Sequence, residues 1–133
     1  MKDPLLGRVL GDRYRVESRI AKGGMGAVYL ASHVGLGNKV AIKVLRDRMV
    51  DDPQFLQRFE NEAQNLARLV HPNLVSLHDY GLTPDGTPYT VLEYCPGMPL
   101  SRFVKPEDPV SPEVAADIAI QIAQGLAVVH EAG

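Results

Sequence analysis

Gly23-Gly24-Met25-Gly26 could bring backbone N–H groups against phosphate oxygens, because glycine places no Cβ in the way. The loop joins one β-type run to another, whereas a dinucleotide fingerprint requires a following helix. No Gly-Lys-Ser/Thr completes a Walker A loop either. Taken alone, such a loop is more often a plain glycine hairpin. Lys43 adds a cation. In Val40-Ala41-Ile42-Lys43-Val44-Leu45 period two puts Lys43 on the face of Ala41, with Val40, Ile42 and Val44 on the other. An ammonium there could neutralise phosphate charge, although a strand lysine more commonly reaches out to solvent. Glu62 is the third candidate. On a wheel of about 100° per residue it falls between Phe55 and Leu69, an apolar position where a carboxylate is costly unless paired. It is expected to seek Lys43; the plainer alternative is a surface pair with an arginine. Glu60 falls at the polar edge.

These residues need a frame. Tyr14, Val16 and Ile20 alternate with Arg15, Glu17 and Arg19 over 14–20, the pattern of a half-buried antiparallel strand. A second run, Ala27-Val28-Tyr29-Leu30-Ala31, follows the glycine loop, and Gly35, Gly37 and Asn38 mark the turn before the third strand. From Pro53 to about Val70 the period becomes helical, with Phe55, Phe59, Ala63, Leu66 and Leu69 on one face. Pro53 suits the first turn and Pro72 stops the helix. Two further strands, around Leu74–His78 and Pro88–Leu92, flank the turn residues Thr83-Pro84-Asp85-Gly86. Cys95-Pro96-Gly97 and Pro99 break the pattern as a hinge would. A short helix near Leu100–Val104 precedes a longer one, with Ser111 as its cap, Pro112 as its first residue and its end near Glu131. That last helix is apolar nearly all round, with Asp117, Gln121 and Gln124 as its polar stripe. Such a helix belongs inside a larger body, so the chain reads as stopping short of one.

The 133 residues are 45% hydrophobic and 23% charged, with net charge −2, the proportions of one soluble globular domain. This balance gives no footprint for nucleic acid or anionic membrane. The single cysteine, Cys95, excludes an internal disulfide and suits a reducing cytosol. No apolar run near Met1 reads as a signal peptide, and Asp117, Gln121 and Gln124 are expected to interrupt any membrane span.

Val40-Ala41-Ile42-Lys43 matches the third-strand lysine motif of protein kinases, and Ala21-Lys22-Gly23-Gly24-Met25-Gly26-Ala27-Val28 resembles their glycine-rich loop. Arg58-Phe59-Glu60-Asn61-Glu62-Ala63 is similar to the αC helix, His71-Pro72-Asn73 to the loop after it, and Leu92-Glu93-Tyr94-Cys95 to the hinge. The wording Gly-Gly-Met-Gly-Ala-Val-Tyr-Leu-Ala most resembles bacterial eukaryotic-like serine/threonine kinases. The resemblance implies an α+β fold: a small lobe with a five-stranded antiparallel sheet and αC, then a hinge and the αD and αE helices of a truncated large lobe. Residues 1–13 would be an N-terminal extension, 14–95 the ATP-binding lobe and 96–133 the start of the large lobe.

The same resemblance implies roles. Gly23, Gly24, Met25 and Gly26 would cover the ATP phosphates, Ala21 and Lys22 would belong to the same nucleotide-binding loop, and Ile20, Val28 and Ala41 would form an apolar ceiling over the adenine. Lys43 would hold the α- and β-phosphates and Glu62 would orient it. Backbone groups of Glu93 and Cys95 would meet the adenine edge, with Leu92 as gatekeeper and Leu66 and Leu77 in the apolar spine. Ala21 departs from the family glycine and is expected to restrict the loop. The catalytic Asp and the ligands of Mg²⁺ are absent from the chain, which alone is expected to be inactive. The implied partners are ATP and a protein substrate in the cytoplasm. A non-catalytic nucleotide- or partner-binding module is the alternative, and it would need dimerisation or docking to cover the last helix. A small-molecule phosphotransferase fits the His-Pro-Asn segment less well.

Overall fold

The computed structural model describes residues 3–23, 26–45 and 52–132. It divides into two compact units, Met1–Arg68 with Ser76–Tyr94, and Leu69–Val75 with Cys95–Gly133.

The first unit is an antiparallel sheet of β1 (Val9–Leu10), β2 (Tyr14–Gly23), β3 (Gly26–His33), β4 (Lys39–Leu45), β5 (Leu77–Leu82) and β6 (Pro88–Glu93), with α1 (Pro53–Ala67). The strand order is β1-β2-β3-β4-β6-β5. Four of these strands answer to expectation, β5 overlaps the expected segment only at Leu77 and His78, and β1 adds a sixth from the segment read as an extension. Alternation builds the core. Val40, Ile42 and Val44 of β4 join Tyr29 and Ala31 of β3, Tyr14 and Val16 of β2, and Tyr89 and Val91 of β6 in one buried cluster. Leu10 completes it at 2% exposure.

The sheet curls until its ends meet. Asp79 of β5 accepts from the Tyr14 hydroxyl at 3.1 Å and pairs with Arg13 at 3.1 Å. Tyr14 also stands edge-on to His33, ring centres 5.4 Å apart. Between β5 and β6 the turn is fixed by Thr83 N–H to the Thr87 carbonyl at 2.8 Å, and the Thr83 hydroxyl donates to Asp85. That last bond is the main reason the Asp85 carboxyl lies below its ordinary range.

Helix α1 starts where Asp52 caps the Gln54 N–H at 3.0 Å, with Pro53 in its first turn. Ala63 is buried while Phe55, Leu56 and Phe59 are half-buried. Phe59 meets Tyr80 of β5 edge-on at 6.2 Å, and the Tyr80 hydroxyl donates to Glu60 at 3.1 Å.

In the second unit, α2 (Leu100–Phe103) precedes α3 (Pro112–Ala132). The Ser111 hydroxyl accepts from the Val114 N–H at 3.2 Å, as its reading as a cap requires. Asn73 donates to the Gln121 carbonyl at 2.9 Å and to the Gln124 side chain at 3.1 Å, which ties 69–75 to this unit. Gly125 is buried, with the Asn73 carbonyl oxygen 3.1 Å from where a Cβ would stand. The expectation that Asp117, Gln121 and Gln124 rule out a membrane span does not hold. With mean hydropathy 1.3, α3 is long and apolar enough to cross a membrane by length and composition. A core helix of a soluble domain passes the same test.

Three buried tyrosines give the first unit a pH response. Burial, then donation to Asp3, pushes Tyr29 up to about 12. Burial first, and the nearby Asp79 carboxylate second, raise Tyr14 and Tyr89. The folded state therefore keeps these protons after an unfolded tyrosine, near 10, has lost them. Their contribution is complete below pH about 10 and disappears as the pH climbs towards about 12. Urea midpoints should fall across that window, and Tyr29→Phe should flatten the fall. A midpoint independent of pH there would contradict the linkage.

Candidate functional site

The face of the sheet opposite the core gathers the candidate residues. Because Val40, Ile42 and Val44 point inward, Ala41 and Lys43 project from the other side of β4. Strand register then sets their neighbours. Lys43 lies between Val28 of β3 and Thr90 of β6, and Ala41 lies between Leu30 and Leu92. Val28 is paired in turn with Ala21 of β2. An ammonium and a row of small or branched apolar groups thus share one surface. Thr90 and Leu30 were not singled out from sequence, though period two through Thr90–Leu92 and Val28–Leu30 points to them.

The glycine loop lies at the tip of the β2–β3 hairpin, in the strands next to this row. Its last pair is Gly23 opposite Gly26; Gly24 and Met25 lie outside the described residues. Gly26 has φ +140°, and a Cβ there would fall on the Val44 carbonyl oxygen. Only glycine permits that closeness of β3 to β4. Ala21 sits in the extended part of β2, outside the positive-φ positions, so its methyl imposes no backbone strain. Ile20 falls at a register shift between Arg19 and Ala21 and is 51% exposed. The bulge separates it from Tyr14 and Val16, whose buried side it was expected to share. Lys22 and Gly23 are exposed beside it.

Glu62 and Lys43 do not pair. The ion pairs among the described residues are Arg13–Asp79, Arg19–Asp3 and Lys39–Glu17. Glu62 is exposed, because the buried arc of α1 runs through Phe59 and Ala63 towards Tyr80 instead. Leu66 is exposed as well, whereas Leu77 is buried at the start of β5. Glu93 ends β6, its N–H donating to the Ser76 carbonyl at 2.8 Å and its carboxylate accepting from the Ser76 N–H at 3.1 Å. Cys95 is exposed and belongs to the second unit. Among the described residues, no three His, Cys, Asp or Glu side chains gather into a cluster that could hold a metal ion.

A family model described as the protein kinase domain matches residues 14–133. The chain belongs to the protein kinase family. Serine/threonine-protein kinase PrkC of Bacillus subtilis is 39% identical over 127 residues, covering 96% of this chain and 19% of PrkC. Serine/threonine-protein kinase PknA of Mycobacterium tuberculosis is 40% identical over 134 residues, covering 98% of this chain and 31% of PknA. Among solved structures, a double mutant of the Mycobacterium tuberculosis PknI kinase domain superposes with TM-score 0.84 at 28% identity, over 100% of this chain and 52% of that one. Another structure of that domain gives TM-score 0.81 at 29% identity, over 96% and 51%. The chain thus spans about half of a solved kinase domain and less than a third of either curated relative. Because the kinase match runs through α3, that apolar helix is part of the kinase domain.

Proposed function

We propose that this chain is the ATP-binding part of a serine/threonine protein kinase, which transfers the γ-phosphoryl group of ATP to a protein hydroxyl. What supports the reading most is Lys43 standing in register with Val28 on one face of β4 and β3, two positions from the glycine pair that ends the β2–β3 hairpin. Phosphoryl transfer asks mainly for positioning and charge neutralisation. The glycine hairpin would bring backbone N–H groups to the phosphates, and the Lys43 ammonium would offset the charge on the α- and β-phosphates. Val28, Ala41 and the bulged Ile20 would lie over adenine, with Leu92 behind it and backbone groups of Glu93 and Cys95 at its edge. Glu62 would orient Lys43 once α1 turned its exposed face towards β4.

ATP brings Mg²⁺, which neutralises the phosphates during transfer. Its protein ligands and the catalytic Asp would come from the kinase domain beyond residue 133. The protein partners would be the substrates, met in the cytoplasm. In the isolated chain, the half-exposed Ile120, Ile122 and Leu126 of α3 would be covered by a second copy.

The test is transfer itself. The full-length protein, given Mg²⁺ and γ-labelled ATP, should label serine and threonine of a generic basic protein. A folded full-length protein that binds ATP and never transfers label would instead favour a nucleotide-binding module.

A further inference from the structure

The kinase match begins at residue 14, yet the residues ahead of it are built into the first unit. The Gly7 N–H donates to the Val16 carbonyl at 2.8 Å, and the Val16 N–H donates to the Arg8 carbonyl at 2.9 Å. Val9 and Leu10 pair with Arg15 and Tyr14, Leu10 is buried in the core, and Leu5 packs against that core. At the head of this segment, the Asp3 carboxylate accepts from the Tyr29 hydroxyl and from the Leu5 N–H at 3.0 Å. The Arg19 guanidinium stands 3.9 Å from the same carboxylate.

Those partners define what Asp3 holds. Arg19 and Tyr29 face each other across the β2–β3 hairpin, so one carboxylate ties both of its strands. Tyr29 is adjacent to Val28, which is paired with Lys43, and lies three positions from Gly26 at the tip. Tyr29 is only 5% exposed although it sits on a hairpin stalk, with Leu5 packed beside the same core. Burial would push the Asp3 carboxyl up, but the Tyr29 hydroxyl, the Leu5 N–H and Arg19 outweigh it and hold the group below its ordinary range. Asp3 is therefore a charged acceptor, the stronger kind of hydrogen-bond partner.

We propose that residues 3–10 form a strap that clamps the glycine-loop hairpin to the core, and that Asp3 is a positioning residue for nucleotide binding. The role in binding rests on the ATP-site reading above; the clamp itself does not. A hairpin already held in place loses less freedom when phosphates dock on it, so the strap contributes affinity without touching the ligand. The phosphoryl-transfer step draws on other groups, so the effect should fall on KM for ATP and spare kcat.

Asp3→Asn removes the charge that faces Tyr29, Leu5 and Arg19 while keeping an acceptor of the same size, and Tyr29→Phe removes the donating hydroxyl while keeping the ring. In the full-length protein each should speed amide exchange in residues 19–30 by about tenfold, the loss of one charge-assisted hydrogen bond, and leave β5 and β6 unchanged. Each should raise KM for ATP several-fold with kcat nearly constant, and the double variant should be no worse than either single one. Unchanged hairpin exchange would overturn the strap. Equal acceleration in β5 and β6 would reduce it to general stability and overturn it too. Faster hairpin exchange with an unaltered KM would overturn the positioning role. A wild-type protein without affinity for ATP would sink the nucleotide reading, and the exchange data would still decide the clamp.

Discussion

Lys43→Met should leave a folded full-length protein that has lost phosphotransfer by about a hundredfold or more. Methionine matches the length of the lysine stem, and the position is half-buried between Val28 and Thr90, so packing on that face survives. No ion pair of Lys43 is broken, since the described ion pairs do not include it. What disappears is the Lys43 ammonium, on a surface that it shares with Thr90 and the apolar Val28, Leu30, Ala41 and Leu92. Without it the phosphates of ATP would lie against apolar groups with their charge uncompensated. The urea midpoint should stay close to that of the wild type while label transfer falls to background. Full activity in the mutant would refute the assignment of this face as the phosphate site.

The largest effect on stability should come from Gly26→Ala. The added methyl would meet the Val44 carbonyl oxygen, a backbone atom in a central strand that cannot rotate aside. The residue also holds φ +140°, which alanine rarely adopts. Relief requires β3 and β4 to part at the end that carries the glycine loop, and we expect a loss of about 3 kcal/mol or more. Gly37→Ala is the comparison. Its φ of +79° is similarly unfavourable, but nothing lies within 4 Å of the new Cβ, so strain alone should cost about 1 kcal/mol. Equal urea midpoints for the two variants would show that the clash at Val44 is not felt.

The central strands were readable because their periodicity and their burial agree. Val40, Ile42 and Val44 alternate with Ala41 and Lys43 in the sequence and in space alike. The first strand was less legible: register shifts at Val16/Ser18 and Arg19/Ala21 carry Ile20 out of the alternation, and such irregularities leave no mark in residue type. Strand β5 was expected around Leu74–His78 and runs from Leu77 to Leu82, since Asp79 and Gly81 do not read as strand residues. Asp79 is there for partners distant in sequence and Gly81 for its cross-strand neighbour in the same hairpin. Asp79 joins Arg13 and Tyr14, and a Cβ on Gly81 would stand 2.7 Å from the Tyr89 hydroxyl. The helical wheel misplaced Glu62 because it counted Leu69 in the apolar face, whereas α1 ends at Ala67. With Leu69 removed, the arc centres on Phe59 and Ala63, and Glu62 falls outside it. Leu10 was overlooked because a two-residue strand has no period to detect.

The junction of Tyr14 and Arg13 with Asp79 also imposes an order on biosynthesis. A chain emerging amino end first can form the β2–β3 and β3–β4 pairings from neighbouring residues while the rest is still being made. The Tyr14–Asp79 bond spans 65 positions and has no partner until the ribosome has delivered β5. Until then the buried cluster that holds Leu10, Tyr14 and Val16 also lacks Tyr89 and Val91 of β6, and apolar surface left waiting in this way is the kind that chaperones recognise. A single carboxylate, that of Asp79, thus marks when the first unit can close.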